Sequence, residues 1–188
     1  MNVVFRNIPL TRIKIFGAKI LLFFTSLFVD TKKKHLITRN NVNFEVDLTE
    51  GIDLSLYLFN DFQSHVYQNK FVQLKDNDVI FDVGANIGDT TIALLQHCSN
   101  PIICFEPSNI FFPYLEKNLK NLDPIDSERV TTFKNLVGTG LLSGELEHNA
   151  AGTANIKVSE NLKLTTHSTL DSKIADSSNV VLIKVDTD

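Results

Sequence analysis

The stretch from Val79 to Thr90, "VIFDVGANIGDT", constrains this chain more than any other. Val79–Val83 has strand character, and Gly84, Asn86 and Gly88 then alternate through a tight loop. From Asp89 to His97 the pattern turns helical. A strand that is apolar apart from Asp82 belongs in a parallel sheet buried on both faces. Gly84 permits the sharp turn, and Gly88 permits close backbone approach to a ligand. The helix that follows opens with free N–H groups. In open α/β sheets such a loop lies beyond the carboxyl ends of the strands, where ligands bind.

The rest of the chain continues this rhythm. "PIICF" (Pro101–Phe105) reads as a second strand, Phe111–Leu122 as a second helix, and Val130–Val137 as a third strand. Short strands are expected through "ELEH", "NIKV" and "LKLTTHSTL", then a short helix near Asp171 and a buried strand from Val180. Upstream, "LITRNNVNFEVDLTE" alternates around a hairpin turn at Asn40–Asn41, and "IDLSLYLFNDFQSHVYQNKFVQL" reads as one or two helices. Strands alternating with helices predict a doubly covered, mostly parallel sheet. The last strand is patterned for an interior position, so further βα units are expected beyond Asp188 and the sheet is expected to be incomplete here.

Charge narrows the ligand. A dinucleotide loop wants G-x-G-x-x-G with pyrophosphate on the helix N-terminus, but here Asp89 takes the place of the last glycine. Asp82 lies two residues before Gly84, and Glu106 lies 22 residues after it at the tip of the second strand. That spacing suits an acid on ribose hydroxyls. An acidic, glycine-lined pocket repels phosphate and suits a cation such as S-adenosylmethionine, which carries an ammonium and a sulfonium. An NAD-dependent oxidoreductase is the rival enzyme, and a non-catalytic fragment the rival outside catalysis.

Composition excludes other classes. Net charge is -4, yet residues 1–40 hold Arg6, Arg12, Lys14, Lys19, Lys32, Lys33, Lys34 and Arg39 against Asp30 alone. The remaining body is acidic, which argues against a nucleic-acid partner. Cys98 and Cys104 read as free thiols of a reducing, cytoplasmic compartment. His97, His148 and His167 lack metal-ligand spacing, so no metal is expected. His148 and Thr153 fall where an acceptor could dock, on position alone. Ile13–Val29 is apolar all round and is expected to be buried in something. It could dock on the domain or on a second copy in a homodimer, lie on an anionic membrane surface, or span a bilayer. Two parts are therefore expected: an apolar, basic helical segment over 1–40 and a catalytic domain over 41–188.

Five blocks then occur in order: "VIFDVGANIGDTT", "ICFEPS", "VTTFKNLVGTGLLSGELE", "TTHSTLD" and "LIKVDTD". In that order they resemble the FkbM-type S-adenosylmethionine-dependent methyltransferases, over roughly Val42 to Asp188. The resemblance implies a class I methyltransferase (Rossmann-like) sheet and methyl transfer, commonly to a hydroxyl of a sugar or small natural product. By this likeness Asp82, Gly84, Asn86 and Gly88 hold the methionine end of the cofactor and Glu106 takes the ribose. Asn135 and Leu136 lie near adenine. The family's upstream glycine and aromatic-glutamate pair is matched here only by Asn60 with Phe62 and Gln63. Asp186, at the end of the last strand, is the candidate to orient or deprotonate the acceptor, and an acid that only orders the loop or binds cofactor is the alternative.

Overall fold

The computed structural model describes residues 12–39, 41–59, 74–76, 78–138, 144–149, 153–158, 167–173 and 179–185. It contains a mixed α/β architecture whose centre is a four-stranded parallel sheet. The central strand β3 (Asp78–Val83) is buried along its whole length. On one side it pairs with β4 (Ile102–Phe105), which pairs with β5 (Val130–Phe133); on the other it pairs with β10 (Asn179–Val185). The chain thus runs outward from β3 and returns to its far side, so strand order reverses between β3 and β10. In open α/β sheets, ligands bind beyond the carboxyl ends of the strands at such a reversal.

Alternation along β3 divides the core. Val79, Phe81 and Val83 face one side with Phe105, whose ring lies 5.9 Å from Phe81 and 5.5 Å from Phe133. Ile80 faces the other side with Ile102, Cys104 and residues of α3 (Asp89–Leu95) and α4 (Phe111–Leu119). The hairpin of β1 (Lys34–Arg39) and β2 (Val42–Asp47) joins that larger cluster through Ile37, Val42, Phe44 and Val46. Asn41 takes φ 61° in the turn, a left-handed conformation that asparagine tolerates. The hairpin straddles residue 40, so the segment before it is tied to the body by a full ladder.

Other boundaries shift for local reasons. Val130–Val137 was expected as one strand, but β5 ends at Phe133, whose carbonyl accepts the Glu106 N–H at 3.1 Å. Leu136–Val137 (β6) instead pairs with β9 (His167–Ser168). The second helix stops at Leu119, and α5 (Pro124–Glu128) follows it, capped by Asp123 with proline in its first turn. That cap and proline were a readable helix start. The "IDLSLYLF" segment forms α2 (Gly51–Leu58), and the rest of that helical expectation, with Asn60, Phe62 and Gln63, lies outside the described residues. Gly144–Asn149 (β7) and Thr153–Val158 (β8) form an antiparallel hairpin that carries His148 and Thr153. Asp171–Lys173 is a short 3-10 turn.

The N-terminal helix α1 spans Arg12–Ser26 and differs from the expectation of burial all round. Leu22 and Val29 pack against the main core and Thr25 is buried, while Phe16, Phe23, Phe24, Leu27 and Phe28 are exposed. Among the described residues no helix is long and apolar enough to cross a membrane.

Candidate functional site

The glycine loop sits at the strand-order reversal, as its sequence implied. Gly84, Asn86 and Gly88 all have positive φ, at 76°, 50° and 90°. Two glycines remove most of the steric penalty of that path, and Asn86 bears it as the one larger residue. The loop is tied down by its backbone: Gly84 N–H and Ala85 N–H both donate to Phe105 O, and Gly88 N–H donates to Ala85 O. Gly88 has a packing duty as well. A Cβ placed there would lie 2.9 Å from Leu115 Cδ1 on α4. A larger side chain would displace the Leu115 methyl and strain the backbone at its φ of 90°.

Glu106 is the clasp between strand β4 and the loop. Its Oε2 accepts the Asn86 N–H at 2.8 Å and its Oε1 accepts the Ser108 N–H at 2.9 Å. Each carboxylate oxygen keeps a further lone pair for a ligand hydroxyl. Burial raises the Glu106 pKa, and the two backbone N–H groups work against that rise.

Asp82 is fully buried beneath the loop. Its Oδ2 accepts the Thr91 hydroxyl at 2.6 Å, and its Oδ1 lies 3.0 Å from Lys184 Nζ. Lys184 stands opposite Asp82 on β10, and the same ammonium donates to the Gly84 carbonyl at 2.8 Å. One buried ion pair therefore fixes both the strand pair and the first residue of the loop. Sequence reading missed Lys184, although a lone lysine in "VVLIKV" was the signal: a charge in a buried strand needs a partner.

Two further acids complete the field. Asp89, the first residue of α3, is buried, and burial raises its pKa to about 6; the Asp82 charge adds to the rise and Lys184 opposes it. Asp53 on α2 is also buried, which raises its pKa to about 7, with the Asp89 charge adding to the effect. Asp53 Oδ2 accepts the Asp47 N–H at 2.6 Å. Asp53 Oδ1, Asp89 Oδ2 and Thr90 Oγ1 are buried with no hydrogen-bond partner among the described residues. Asn118 braces the floor: its amide donates to Ile87 O at 3.0 Å and accepts the Glu45 N–H at 3.0 Å, which links loop, α4 and hairpin.

The structure thus brings Asp82, Gly84, Asn86, Gly88 and Glu106 together in one hydrogen-bonded unit. Asn135 and Leu136 lie half-buried just past β5, beyond the end of the same sheet and two strands from the loop. Asp186 and Asp188 lie outside the described residues, directly after β10. Among the described residues no three metal-ligating side chains converge. Cys104 packs beneath the loop at 3.1 Å from Thr91 Oγ1, and burial pushes its thiol pKa up, away from thiolate chemistry.

A group of buried acids of this kind suits a cationic or hydroxyl-bearing ligand. A diphosphate at the N-terminus of α3 would meet Asp89.

No family model and no curated protein matches the chain. Among solved structures, a "putative transferase" from Pyrococcus horikoshii superposes with a TM-score of 0.37 at 13% identity, over 53% of this chain and 35% of its own. The matched region spans about a third of that protein, and a superposition so slight carries no function across.

Proposed function

We propose that this chain is part of an S-adenosylmethionine-dependent methyltransferase of the FkbM type, acting on a hydroxyl of a sugar or small natural product. The observation that carries the reading is the buried Asp89 carboxylate at the head of α3, whose Oδ2 has no hydrogen-bond partner among the described residues, in a field it shares with Asp82 and Asp53. Such a field favours an ammonium and a sulfonium over a pyrophosphate. The five-block resemblance supplies the reaction class.

When bound, S-adenosylmethionine supplies an electrophilic methyl group. The chain's own residues do the rest. Gly84, Asn86 and Gly88 hold the methionine end with the loop backbone, and Asp89 sets the charge there. Asp82 acts from beneath, because both its oxygens are engaged by Lys184 and Thr91. Glu106 offers its remaining lone pairs to ribose hydroxyls. Asn135 and Leu136 flank the adenine side. Asp186 orients the acceptor hydroxyl and takes its proton, a contribution worth about 10²–10⁴ in rate. Holding acceptor and methyl donor in line supplies much of the remainder.

Calorimetry on the chain tests the binding step. Heat is expected with S-adenosylmethionine and with its demethylated product, and none with NAD. Heat with NAD alone would reverse the assignment. Asp186→Asn separates roles. Lost turnover with unchanged cofactor affinity makes Asp186 the acceptor's base, and a parallel loss of both makes it a cofactor ligand.

A further inference from the structure

Helix α1 has two unlike faces. Leu22, Thr25 and Val29 turn toward the body. Phe16, Ile20, Phe23, Phe24 and Leu27 recur at helical spacing along the opposite stripe, and all are exposed, with Phe16 at 65%. Phe28 extends the stripe past the helix end at 87% exposure. An apolar stripe over about 17 Å, from Phe16 to Leu27, is more than scattered surface leucines and phenylalanines. Around it the charge is one-sided. Lys19 is exposed on the helix, and Lys32 and Lys33 are exposed in the turn that follows. Asp30, the one acid of this region, is paired with Lys33 at 3.2 Å. Residues 1–40 hold eight of the 18 basic residues and one of the 22 acidic ones, so the body behind them is strongly acidic.

We propose that α1 lies flat in the headgroup region of an anionic membrane surface. The phenylalanine stripe enters the acyl boundary, and Lys19, Lys32 and Lys33 meet lipid phosphates. An in-plane helix needs an apolar face with basic flanks, and among the described residues no helix is long and apolar enough to span. The charge asymmetry orients the molecule, because the same surface repels the acidic sheet. A second copy suits this face less well. Pairing two stripes would bring two basic clusters together, whereas anionic lipid neutralises them.

The chain should be sedimented with vesicles of phosphatidylcholine alone and of phosphatidylcholine carrying about 30% phosphatidylserine. Binding is expected only to the second, with release at about 0.5 M salt. Lys32→Ala with Lys33→Ala should weaken partition by roughly 25-fold, at about fivefold per basic residue. Phe23→Ser with Phe24→Ser should abolish it while thermal unfolding stays unchanged, because both side chains are exposed. The chain has no tryptophan, so Phe24→Trp gives a single emission that should shift blue on the anionic vesicles. Equal binding to both vesicles, or none to either, overturns the proposal. So does a dimer that the two serine substitutions dissociate in the absence of any vesicle binding. Ligand calorimetry is unaffected by any of these outcomes, so this proposal and the methyltransferase reading fail separately.

Discussion

The glycine-loop end of the sheet and helix α1 invert the usual partition of side chains in opposite directions. Around the loop, Asp82, Asp89, Asp53 and Glu106 are all buried, and each is held by hydrogen bonds, by an ion pair or by a raised pKa. Along α1 the phenylalanines lie in solvent, with lysines beside them. Buried carboxylates and exposed aromatic stripes both cost stability, and chains retain them where something binds. The two regions differ in how the cost is met. The loop meets much of it internally, through Lys184, Thr91 and backbone N–H groups. The helix leaves it to whatever covers the stripe. One region should therefore be sensitive to substitution in isolation, and the other only in the presence of its partner.

The largest expected effect tests the internal pairing. Lys184→Met leaves Asp82 charged and buried without compensation, and should destabilise the fold by about 3–5 kcal/mol in denaturant unfolding. Adding Asp82→Asn should recover most of that loss. A loss no larger than about 1 kcal/mol would show that water already reaches the pair.

Acidity gives the next largest effect. The folded pKa values of Asp53 (about 7) and Asp89 (about 6) lie above the unfolded value of 3.8. The folded state then holds protons that the unfolded state has released, so stability should fall as pH rises from about 5 to 8, by on the order of 4 kcal/mol. Asp53→Asn should flatten the upper part of that slope. Affinity for a cation should run the other way and strengthen over the same range, as Asp89 ionises. Parallel curves for stability and S-adenosylmethionine affinity would break the link between this acid and the ligand.

Glu106→Ala leaves the Asn86 and Ser108 N–H groups without their acceptor and should weaken the proposed S-adenosylmethionine binding by about 1–3 kcal/mol. Gly88→Ala should cost about 1–2 kcal/mol, chiefly from its φ of 90°, because the Leu115 methyl can shift. Leu115→Val in that background should relieve little. At the small end, Phe23→Ser with Phe24→Ser should change the stability of the free chain by no more than about 0.5 kcal/mol. A larger loss would mean that the stripe is a working part of the core and would erase the contrast between the regions.

Much of the central architecture was legible along the chain. The β3–loop–α3 unit, strand β4, the hairpin turn and the existence of strand β10 all rest on local patterning: apolar runs, glycine spacing and turn residues. The convergence of Asp82, Gly84, Asn86, Gly88 and Glu106 followed from the same signals, because a βαβ unit brings consecutive strand ends side by side. Helix α5 was equally local and was missed, although Asp123–Pro124 announced it.

Other features depended on which distant side chains meet. Lys184 reaches Gly84 across 100 residues of sequence, and Asn118 joins Ile87 to Glu45. Asp53 shares its field with Asp89 only because α2 packs near the loop. Sequence by itself determined which residues are apolar on α1, since its pattern is rich on every side. Tertiary packing decided which of them face the body, by offering the core to Leu22 and Val29 and leaving Phe16, Phe23 and Phe24 outside. Periodicity and turn chemistry are written in neighbouring residues. Burial, ion pairing and the acidity they perturb are set between residues far apart in the chain, so they exist only once the chain has folded.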